Sequence, residues 1–305
     1  MGQTTGIAWT DHTFNPWWGC EKVSEGCRNC YAATFDKRVG GDHWGKGKGW
    51  RTFGDKHWND PVRWNKAAEK AGVRRKVFCA SMADIFQAGA PVGDRVRLFS
   101  LIKETPWLDW QLLTKRPELM AGYLPWGWGA GWPNVWLGTS VENQETADER
   151  IPFLLQTPAA VRFVSYEPAL GPVSFRWLNA WPENAPTTAM SPGGITNELD
   201  GLRRLDLVIV GGESGPGARP FDLAWARSTV AECKRAGVAC FVKQLGAKPI
   251  LRDRFDVSEE RFVALDRSEG GWTEHDGPPW LADRKGGDWN EWPVDLRVRE
   301  FPKVS

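Results

Sequence analysis

The chain has 305 residues, of which 41% are hydrophobic and 25% charged, and a formal net charge of +1 at pH 7. This length suits one large domain or two small ones, and the balanced charge gives no global field that indicates nucleic acid or a membrane surface. No apolar run approaches the roughly 18 residues of a membrane-spanning helix. Six cysteines without an apolar leader predict a reduced, cytoplasmic protein.

The first predicted elements are a strand near Ile7-Ala8-Trp9 and, after it, a loop with three cysteines. Cys20, Cys27 and Cys30 lie within eleven residues, with spacings of x6 and x2. Three thiolates on one loop can converge on a soft metal centre and leave a fourth coordination position open. This pattern predicts an iron–sulfur cluster with a reactive corner.

Other uses of these cysteines remain open. A disulfide is disfavoured, because the chain looks like a reduced protein. Structural zinc is the stronger alternative, since Cys27-x2-Cys30 is a common zinc knuckle and His43 or His57 could complete a Cys3His site. Cysteines that bind no metal are the remaining alternative.

Basic and aromatic residues alternate in the segment from Lys37 to Lys66. Eight basic residues stand against three acidic ones, with aromatic residues interleaved. This combination suits phosphate attraction and base stacking on an unpaired strand. We therefore predict that the segment lies beside the mouth of the (β/α) barrel that the later strands are predicted to form, and that it contacts nucleic acid through Lys46, Lys48, Trp50 and Arg51. The alternative is a structural insert whose tryptophans pack on the barrel while its lysines are solvated.

Six apolar, β-rich runs follow, separated by helix-like segments. They are 77–82, 110–114, 135–139, 161–165, 207–210 and 239–242. Asp94 is predicted to cap one connecting helix and Asp222 another, which Gly237 ends. With the opening strand, the pattern predicts an α/β fold: a full or partial (β/α) TIM-like barrel of about six to seven parallel strands, with the cysteine loop after the first. The barrel is predicted at 1–249, including the insert 37–66, and a C-terminal extension at 250–305 packs on it.

Polar residues follow each predicted strand. They are Asp84, Thr114, Lys115, Arg116, Ser140, Glu142, Asn143, Glu167, Gly211-Gly212-Glu213-Ser214, Lys243 and Gln244. Any one of them is explained by an ordinary helix cap or a solvated loop. Their succession predicts a site, because active sites of (β/α) barrels collect at the carboxyl ends of the strands.

The glycine-rich stretch Gly211-Gly212-Glu213-Ser214-Gly215-Pro216-Gly217 has three readings. Glycines let backbone amides approach an anion, but the stretch lacks the ending of a nucleotide-binding loop and the spacing of a dinucleotide fingerprint. Close backbone approach to a bound ligand and a plain turn are the other two interpretations.

Several motifs carry a family resemblance. Asn15-Pro16-Trp17-Trp18-Gly19-Cys20, with Cys27, Cys30, Tyr31 and Ala32, resembles the cluster loop of radical S-adenosylmethionine enzymes of the spore-photoproduct-lyase type. Their usual cysteine spacing is x3 then x2, whereas here it is x6 then x2. The likeness continues through Ala83-Asp84-Ile85, Leu113-Thr114-Lys115 and Glu167-Pro168. The whole chain more closely resembles the phage protein family named for gene products thirty-seven and sixty-eight, through 211–220, 243–246, 285–288 and 291–293.

The resemblance implies a radical enzyme, either a lyase or a nucleic-acid-modifying enzyme. Cys20, Cys27 and Cys30 would hold three irons of a [4Fe-4S] cluster, and the fourth iron would chelate S-adenosyl-L-methionine. Cleavage of the sulfonium would give a 5′-deoxyadenosyl radical that abstracts hydrogen from a nucleic-acid or nucleoside substrate. The implied cofactor-binding residues are Tyr31, Asp84, Thr114, Lys115, Ser140, Glu142, Glu167, Gly211, Gly212 and Glu213. A three-Cys-motif partner protein is also implied. The alternative function is a non-catalytic zinc-containing module that binds nucleic acid or a phage partner.

Cys79 is a further catalytic candidate. It stands two residues before Ser81, so the two share a face if the strand is regular. In the lyase-like relatives a hydrogen-donating cysteine falls where this chain has Ser81, and the resemblance therefore implies a hydrogen relay at Cys79. The alternative is a small buried core residue.

Overall fold

The computed structural model describes residues 5–179, 198–252, 260–266, 271–275 and 281–303. The chain divides into two compact units, Met1–Ser140 with Phe153–Phe163 and Val141–Pro152 with Val164–Ser305. Because β-rich runs and helical segments alternate along the chain, the fold is α/β.

The helices are α1 Tyr31–Arg38, α2 Asp55–Ala71, α3 Val92–Glu104, α4 Met120–Tyr123, α5 Gln144–Gln156 and α6 Leu223–Ala236. The strands are β1 His12–Phe14, β2 Trp17–Trp18, β3 Arg51–Thr52, β4 Arg75–Cys79, β5 Leu108–Thr114, β6 Val135–Val141, β7 Val161–Tyr166, β8 Leu178–Asn179, β9 Glu198–Leu199, β10 Leu207–Gly211, β11 Phe221–Asp222, β12 Ala239–Gln244, β13 Pro249–Arg252, β14 Glu260–Asp266 and β15 Gly271–His275.

The principal sheet has seven parallel strands in the order β1-β4-β5-β6-β7-β10-β12, which follows the chain. In the first unit Phe14 pairs with Cys79, and Cys79 with Leu112. Every residue of β6 and β10 is buried, as expected of parallel strands covered on both faces. This is the strand order of a partial (β/α) barrel, so the predicted α/β class with six to seven parallel strands is confirmed.

The predicted opening strand at Ile7-Ala8-Trp9 is wrong. These residues form a turn closed by a hydrogen bond from the Thr10 N–H to the Ile7 carbonyl, and β1 begins at His12. The Trp9 ring is nevertheless buried, and its centroid lies 4.6 Å from that of Phe78. An apolar residue that packs under a sheet from a turn looks, in sequence, like a residue of the sheet.

Two of the three predicted helix-end residues are confirmed. Asp222 caps α6 by accepting a hydrogen bond from the Ala224 N–H at 2.9 Å, and Gly237 ends it in the left-handed conformation. The prediction for Asp94 is wrong, because α3 begins at Val92 after Pro91 and Asp94 lies in the first turn. A carboxylate in the first turn lies near the positive end of the helix dipole, but Asp94 is not the N-cap residue.

The end of the C-terminal segment, at 298–300, packs on the last strand of the principal sheet, whereas β13, β14 and β15 form a separate sheet with β11. The Val242 N–H donates to the Val298 carbonyl at 2.9 Å, and the Glu300 N–H donates to the Cys240 carbonyl at 2.9 Å. These bonds cover the outer edge of β12, which would otherwise expose unpaired backbone groups. The rest of the predicted extension at 250–305 includes 253–259, 267–270, 276–280 and 304–305, which lie outside the described residues.

Within the described ranges, no helix combines the length and the apolar character needed to cross a membrane.

Candidate functional site

The segment that carries Cys20 is held by backbone pairing on two sides. Gly19 forms a parallel bridge with Ala83, which lies just after β4. The Cys20 N–H donates to the His43 carbonyl at 3.3 Å, and the Gly45 N–H donates to the Cys20 carbonyl at 3.0 Å. Cys20 therefore lies just beyond the carboxyl ends of β1 and β4, at the edge where active sites of (β/α) folds collect.

The three thiols of this loop are free and half-buried. Cys20 Sγ donates to the Glu21 carbonyl at 3.4 Å, Cys27 Sγ lies 3.9 Å from Ser24 Oγ, and Cys30 immediately precedes α1. Among the residues that the structure describes, no three His, Cys, Asp or Glu side chains converge where one metal ion could bind. The three cysteine sulfurs are donor atoms that both iron–sulfur clusters and zinc bind, and they suffice for three of four coordination positions. The loop from 21 to 29, in which no residue is buried, has to close for the thiols to share one centre.

Asp84 is a buried carboxylate that joins the ends of β4 and β5. It accepts hydrogen bonds from Thr114 Oγ1 at 2.7 and 2.8 Å, from the Lys115 N–H at 3.2 Å and from the Phe86 N–H at 3.0 Å. Arg116 Nη1 completes the set at 2.9 Å. The structure thus brings together Asp84, Thr114 and Lys115, which the sequence analysis placed at the ends of two different strands.

Arg116 extends this network to the cysteine loop. Its Nη2 donates to the Glu21 carbonyl at 2.9 Å, and its Nη1 lies 3.9 Å from Cys20 Sγ. Burial and the Asp84 carboxylate raise the pKa of the Cys20 thiol to about 12, and the Arg116 cation opposes that rise. Because metals bind the thiolate, binding at Cys20 would release its proton.

Tyr31 and Ser140 differ in their surroundings. Tyr31 is 58% exposed, and its phenol donates to the Ser81 carbonyl at 2.8 Å. The Asn15 side-chain amide donates to Ser81 Oγ at 3.1 Å, which ties this turn to the residue after β1. Tyr31 therefore lies beside the segment that follows β4, whereas Ser140 is a buried residue of β6.

Cys79 is the last residue of β4 and is fully buried. Burial also raises the pKa of its thiol. Ser81 and Met82 form a turn, so the regular alternation that would place Cys79 and Ser81 on one face stops at Cys79. This environment is that of a core residue, and the hydrogen relay stays a prediction.

The insert packs directly against the cysteine loop. Strand β3 pairs antiparallel with β2, and the half-buried Trp50 ring covers Gly19 so closely that a Cβ there would lie 2.8 Å from Trp50 Cε3. The Arg51 guanidinium stacks 4.4 Å from the centre of the Trp18 ring. Trp50 and Arg51 thus support the segment immediately before Cys20.

The remaining insert residues divide between packing and solvent. Trp58 and Trp64 are buried on α2, as the structural alternative requires. Lys46 is exposed, and the exposed Lys48 pairs with Asp42 at 2.5 Å. The basic side chains remain accessible at this edge, and their contact with nucleic acid stays a prediction.

The two histidines considered as zinc ligands are engaged differently. His57 Nε2 lies 2.8 Å from the Asn15 carbonyl oxygen, and its ring stacks on Phe14 with centroids 4.8 Å apart. His43 is next to Cys20 through the backbone, and its Nδ1 lies 2.9 Å from Oδ1 of the buried Asp36. Only His43 has the geometry of a ring oriented by a carboxylate.

Three predicted carboxylates lie in the second unit, each with a cationic partner. Glu142 Oε2 is 3.1 Å from Arg150 Nη1, Glu167 Oε1 is 2.9 Å from Lys243 Nζ, and Glu213 Oε1 is 2.5 Å from Arg219 Nη2. The Glu167 contact is an ion pair without hydrogen-bond geometry. Their predicted role in cofactor binding stays a prediction.

Gly211 and Gly212 are covered by protein atoms. A Cβ on Gly211 would lie 2.9 Å from Glu167 Oε1, and one on Gly212 would lie 2.7 Å from the Leu245 carbonyl oxygen and 2.8 Å from Phe221 Cβ. Close packing at the end of β10 therefore explains why both positions are glycine. The approach of a cofactor to Gly211 and Gly212 stays a prediction, because packing alone accounts for the two glycines.

A family model described as a protein of unknown function (DUF5131) matches residues 4–269. The chain belongs to this family. The matched range contains the three cysteines, Asp84 and Arg116, and ends before the segment 281–303 that covers β12. Comparisons with curated proteins and with solved structures gave no match. The resemblances to radical enzymes and to the phage family stay predictions.

Two residues of this DUF5131 chain contribute more than the sequence analysis indicated. Arg116 was noted only as a polar residue after a strand, and nothing local shows that its guanidinium reaches Cys20, 96 residues away. Asp36 is 1% exposed on α1, where its carboxylate binds both the backbone N–H and the ring of His43. In the sequence Asp36 stands next to Lys37 and Arg38 like an ordinary solvated residue, so no local signal indicates that it is buried against His43.

Proposed function

We propose that this chain is a radical S-adenosyl-L-methionine enzyme whose [4Fe-4S] cluster is held by Cys20, Cys27 and Cys30. The observation that carries the proposal is the position of Cys20 beyond the carboxyl ends of β1 and β4, with the Arg116 guanidinium 3.9 Å from its Sγ and two further free thiols on the same loop. When bound, the cluster and S-adenosyl-L-methionine supply a 5′-deoxyadenosyl radical that abstracts hydrogen from a substrate.

The residues of the first unit support such a group in distinct ways. Asp84 holds the ends of β4 and β5 together and orients Arg116. The insert fixes the backbone of Cys20 through His43 and Gly45. Lys115 is half-buried beside this network and is our candidate for a contact with the carboxylate of S-adenosyl-L-methionine.

Anaerobic reconstitution tests the cluster. The wild-type chain should bind about four irons and four sulfides and convert S-adenosyl-L-methionine to methionine and 5′-deoxyadenosine in the presence of dithionite. Replacement of Cys20, Cys27 or Cys30 by Ala should abolish both. Cys233→Ala, which removes a thiol buried on α6, is the matched control and should keep both. Stoichiometric zinc without labile sulfide would rule out the proposal.

We further propose a nucleic-acid or nucleoside substrate. Its support is the exposed basic edge next to the cysteine loop, where Lys46, Lys48 and Arg51 are accessible. Their combined replacement by Ala should weaken binding to single-stranded DNA or RNA and reduce its salt dependence, because fewer counterions are released. Replacement of three exposed basic residues of the second unit, Arg204, Lys234 and Arg235, is the charge-matched control. Equal effects of the two triple variants would contradict a specific role for the insert.

A Cys3His zinc module is the second candidate, and the Asp36–His43 contact favours it. Metal-binding histidines usually donate their second ring N–H to a carboxylate, which orients the ring. His43 meets that condition, and its backbone is already paired with Cys20. His43→Asn should weaken zinc binding if this candidate is correct and should leave iron and sulfide content unchanged if the cluster proposal is correct.

A further inference from the structure

Arg116 is a buried cation whose guanidinium contacts three separate parts of the first unit. Its Nη1 donates to Asp84 Oδ2 at 2.9 Å, its Nη2 donates to the Glu21 carbonyl at 2.9 Å, and its Nη1 lies 3.9 Å from Cys20 Sγ. The residue is 7% exposed. We infer that Arg116 is a positioning residue that fixes the sulfur of Cys20 and balances its negative charge when Cys20 binds a metal. This inference rests on the proposed role of Cys20 as a metal ligand.

The orientation of the guanidinium is determined before any metal binds. Asp84 already accepts from Thr114 Oγ1 and from the N–H groups of Phe86 and Lys115, so its carboxylate cannot rotate without breaking several bonds. The Arg116 backbone is held as well, because its N–H donates to Thr114 Oγ1 at 2.9 Å. Asp84 holds Nη1 and the Glu21 carbonyl holds Nη2, so the planar guanidinium has one orientation. In that orientation Nη1 points toward Cys20 Sγ.

The contact also has an electrostatic consequence. A metal-bound cysteine is a thiolate, and a partly buried thiolate needs a compensating charge or hydrogen bonds. Arg116 supplies both, because one Nη1 faces Asp84 and Cys20 Sγ together. Hydrogen bonds to the sulfurs are among the factors that set the reduction potential of iron–sulfur clusters.

Lysine cannot replace this arrangement. A lysine ammonium carries the same charge but lacks the planar fork that serves Asp84, the Glu21 carbonyl and the sulfur at once. Arg116→Lys should therefore keep the ion pair with Asp84 and lose part of the positioning. Arg116→Gln removes the charge, and comparison of the two variants separates charge from geometry.

The test uses Co(II) as the metal probe on the apoprotein and, separately, the reconstituted cluster. The intensity of the thiolate-to-cobalt absorption reports the binding of Co(II) by cysteine. We expect Arg116→Gln to bind Co(II) about 10–100-fold more weakly than the wild type, the range seen when residues that orient metal ligands are replaced, and Arg116→Lys to be intermediate. In the reconstituted protein, Arg116→Gln should lower the midpoint potential of the cluster.

Arg95→Gln is the matched control. Arg95 is also buried, and it donates to the carbonyls of Ile85 at 2.9 Å and Gln87 at 2.8 Å, next to Asp84. It should keep the wild-type Co(II) affinity and midpoint potential. Tryptophan fluorescence during urea unfolding identifies any variant that fails to fold. If Arg116→Gln fails to fold, the Co(II) affinity of the conservative Arg116→Lys variant tests whether the guanidinium positions Cys20.

The outcomes separate this inference from the proposed function. If the wild type binds Co(II) in an Arg116-dependent way but assembles no cluster, the radical function fails and the inference stands. If the cluster assembles and both Arg116 variants keep the Co(II) affinity and potential of the Arg95 control, the inference alone fails. A wild-type chain that binds no Co(II) through cysteine overturns it as well.

Discussion

The glycine before the first cysteine provides a strong test of how the loop is held. Gly19 has φ +132°, a backbone conformation that residues with a side chain rarely adopt. A Cβ at this position would lie 2.8 Å from Trp50 Cε3 and 3.0 Å from the His43 carbonyl oxygen. Gly19→Ala therefore adds backbone strain and a collision at the same point, one residue before Cys20.

The two effects have separate magnitudes. A non-glycine residue in a sparsely populated backbone region costs about 1–3 kcal/mol. Overpacking of a well-packed region costs typically about 1–3 kcal/mol. Trp50 is only half-buried and can move part of the way, so the collision should fall at the low end of its range. We expect the free energy of unfolding to decrease by about 2–4 kcal/mol in total.

Urea unfolding, followed by tryptophan fluorescence, measures this loss. Gly49→Ala is the control, because no heavy atom lies within 4 Å of a Cβ there, and it should stay within about 0.5 kcal/mol of the wild type. In a Trp50→Ala background the cost of Gly19→Ala should fall to about 1–3 kcal/mol, because the collision with the Trp50 ring is relieved while the backbone strain and the contact with the His43 carbonyl oxygen remain. A Gly19→Ala variant as stable as Gly49→Ala, or a cost that Trp50→Ala leaves unchanged, would refute the reasoning.

Three further predictions concern stability. Asp84→Ala should lower the free energy of unfolding by about 3–5 kcal/mol, because it leaves the buried Arg116 cation without its carboxylate. The control is Asp42→Ala at an exposed ion pair, which should leave the urea midpoint nearly unchanged. Gly138→Ala should cost about 1–3 kcal/mol, because its Cβ would lie 2.5 Å from the Phe163 ring, and Phe163→Leu should recover part of that loss in the double variant. Burial lowers the pKa of His57 below its usual value, so the unfolded chain binds the proton more readily and stability should fall as the pH drops below about 6.5. The decrease in unfolding free energy between pH 7 and pH 5 should be smaller in His57→Gln, and equal decreases would contradict this assignment.

The sequence alone determined the class of fold and six of the seven strands of the principal sheet. Apolar runs such as 135–139 and 207–210 indicated strands buried on both faces, and the structure has β6 and β10 there with every residue buried. Asp222 and Gly237 marked the ends of α6 correctly. These features are local, since burial of a whole strand, a helix cap and a left-handed glycine each depend on a few neighbouring residues.

The sequence also identified candidates for the site, but not what each one contacts. The three cysteines and the polar residues after the strands were visible as a pattern, and the structure places Asp84, Thr114 and Lys115 in one network. The cofactor roles of Glu142, Glu167 and Gly211–Glu213 are still predictions. In the structure the three carboxylates have cationic protein partners, and close packing accounts for the glycines.

Only the tertiary structure decided how the cysteine loop is held. The turn at Ile7–Trp9, the bond between Asp36 and His43, and the approach of Arg116 to Cys20 join residues whose partners cannot be read from their own neighbourhood. Parallel strands bring their carboxyl ends to one edge whatever residues follow them, so the sequence can name the side chains at that edge. The contacts among those side chains depend on loop paths and packing across many residues, which the local pattern of apolar and polar residues does not specify.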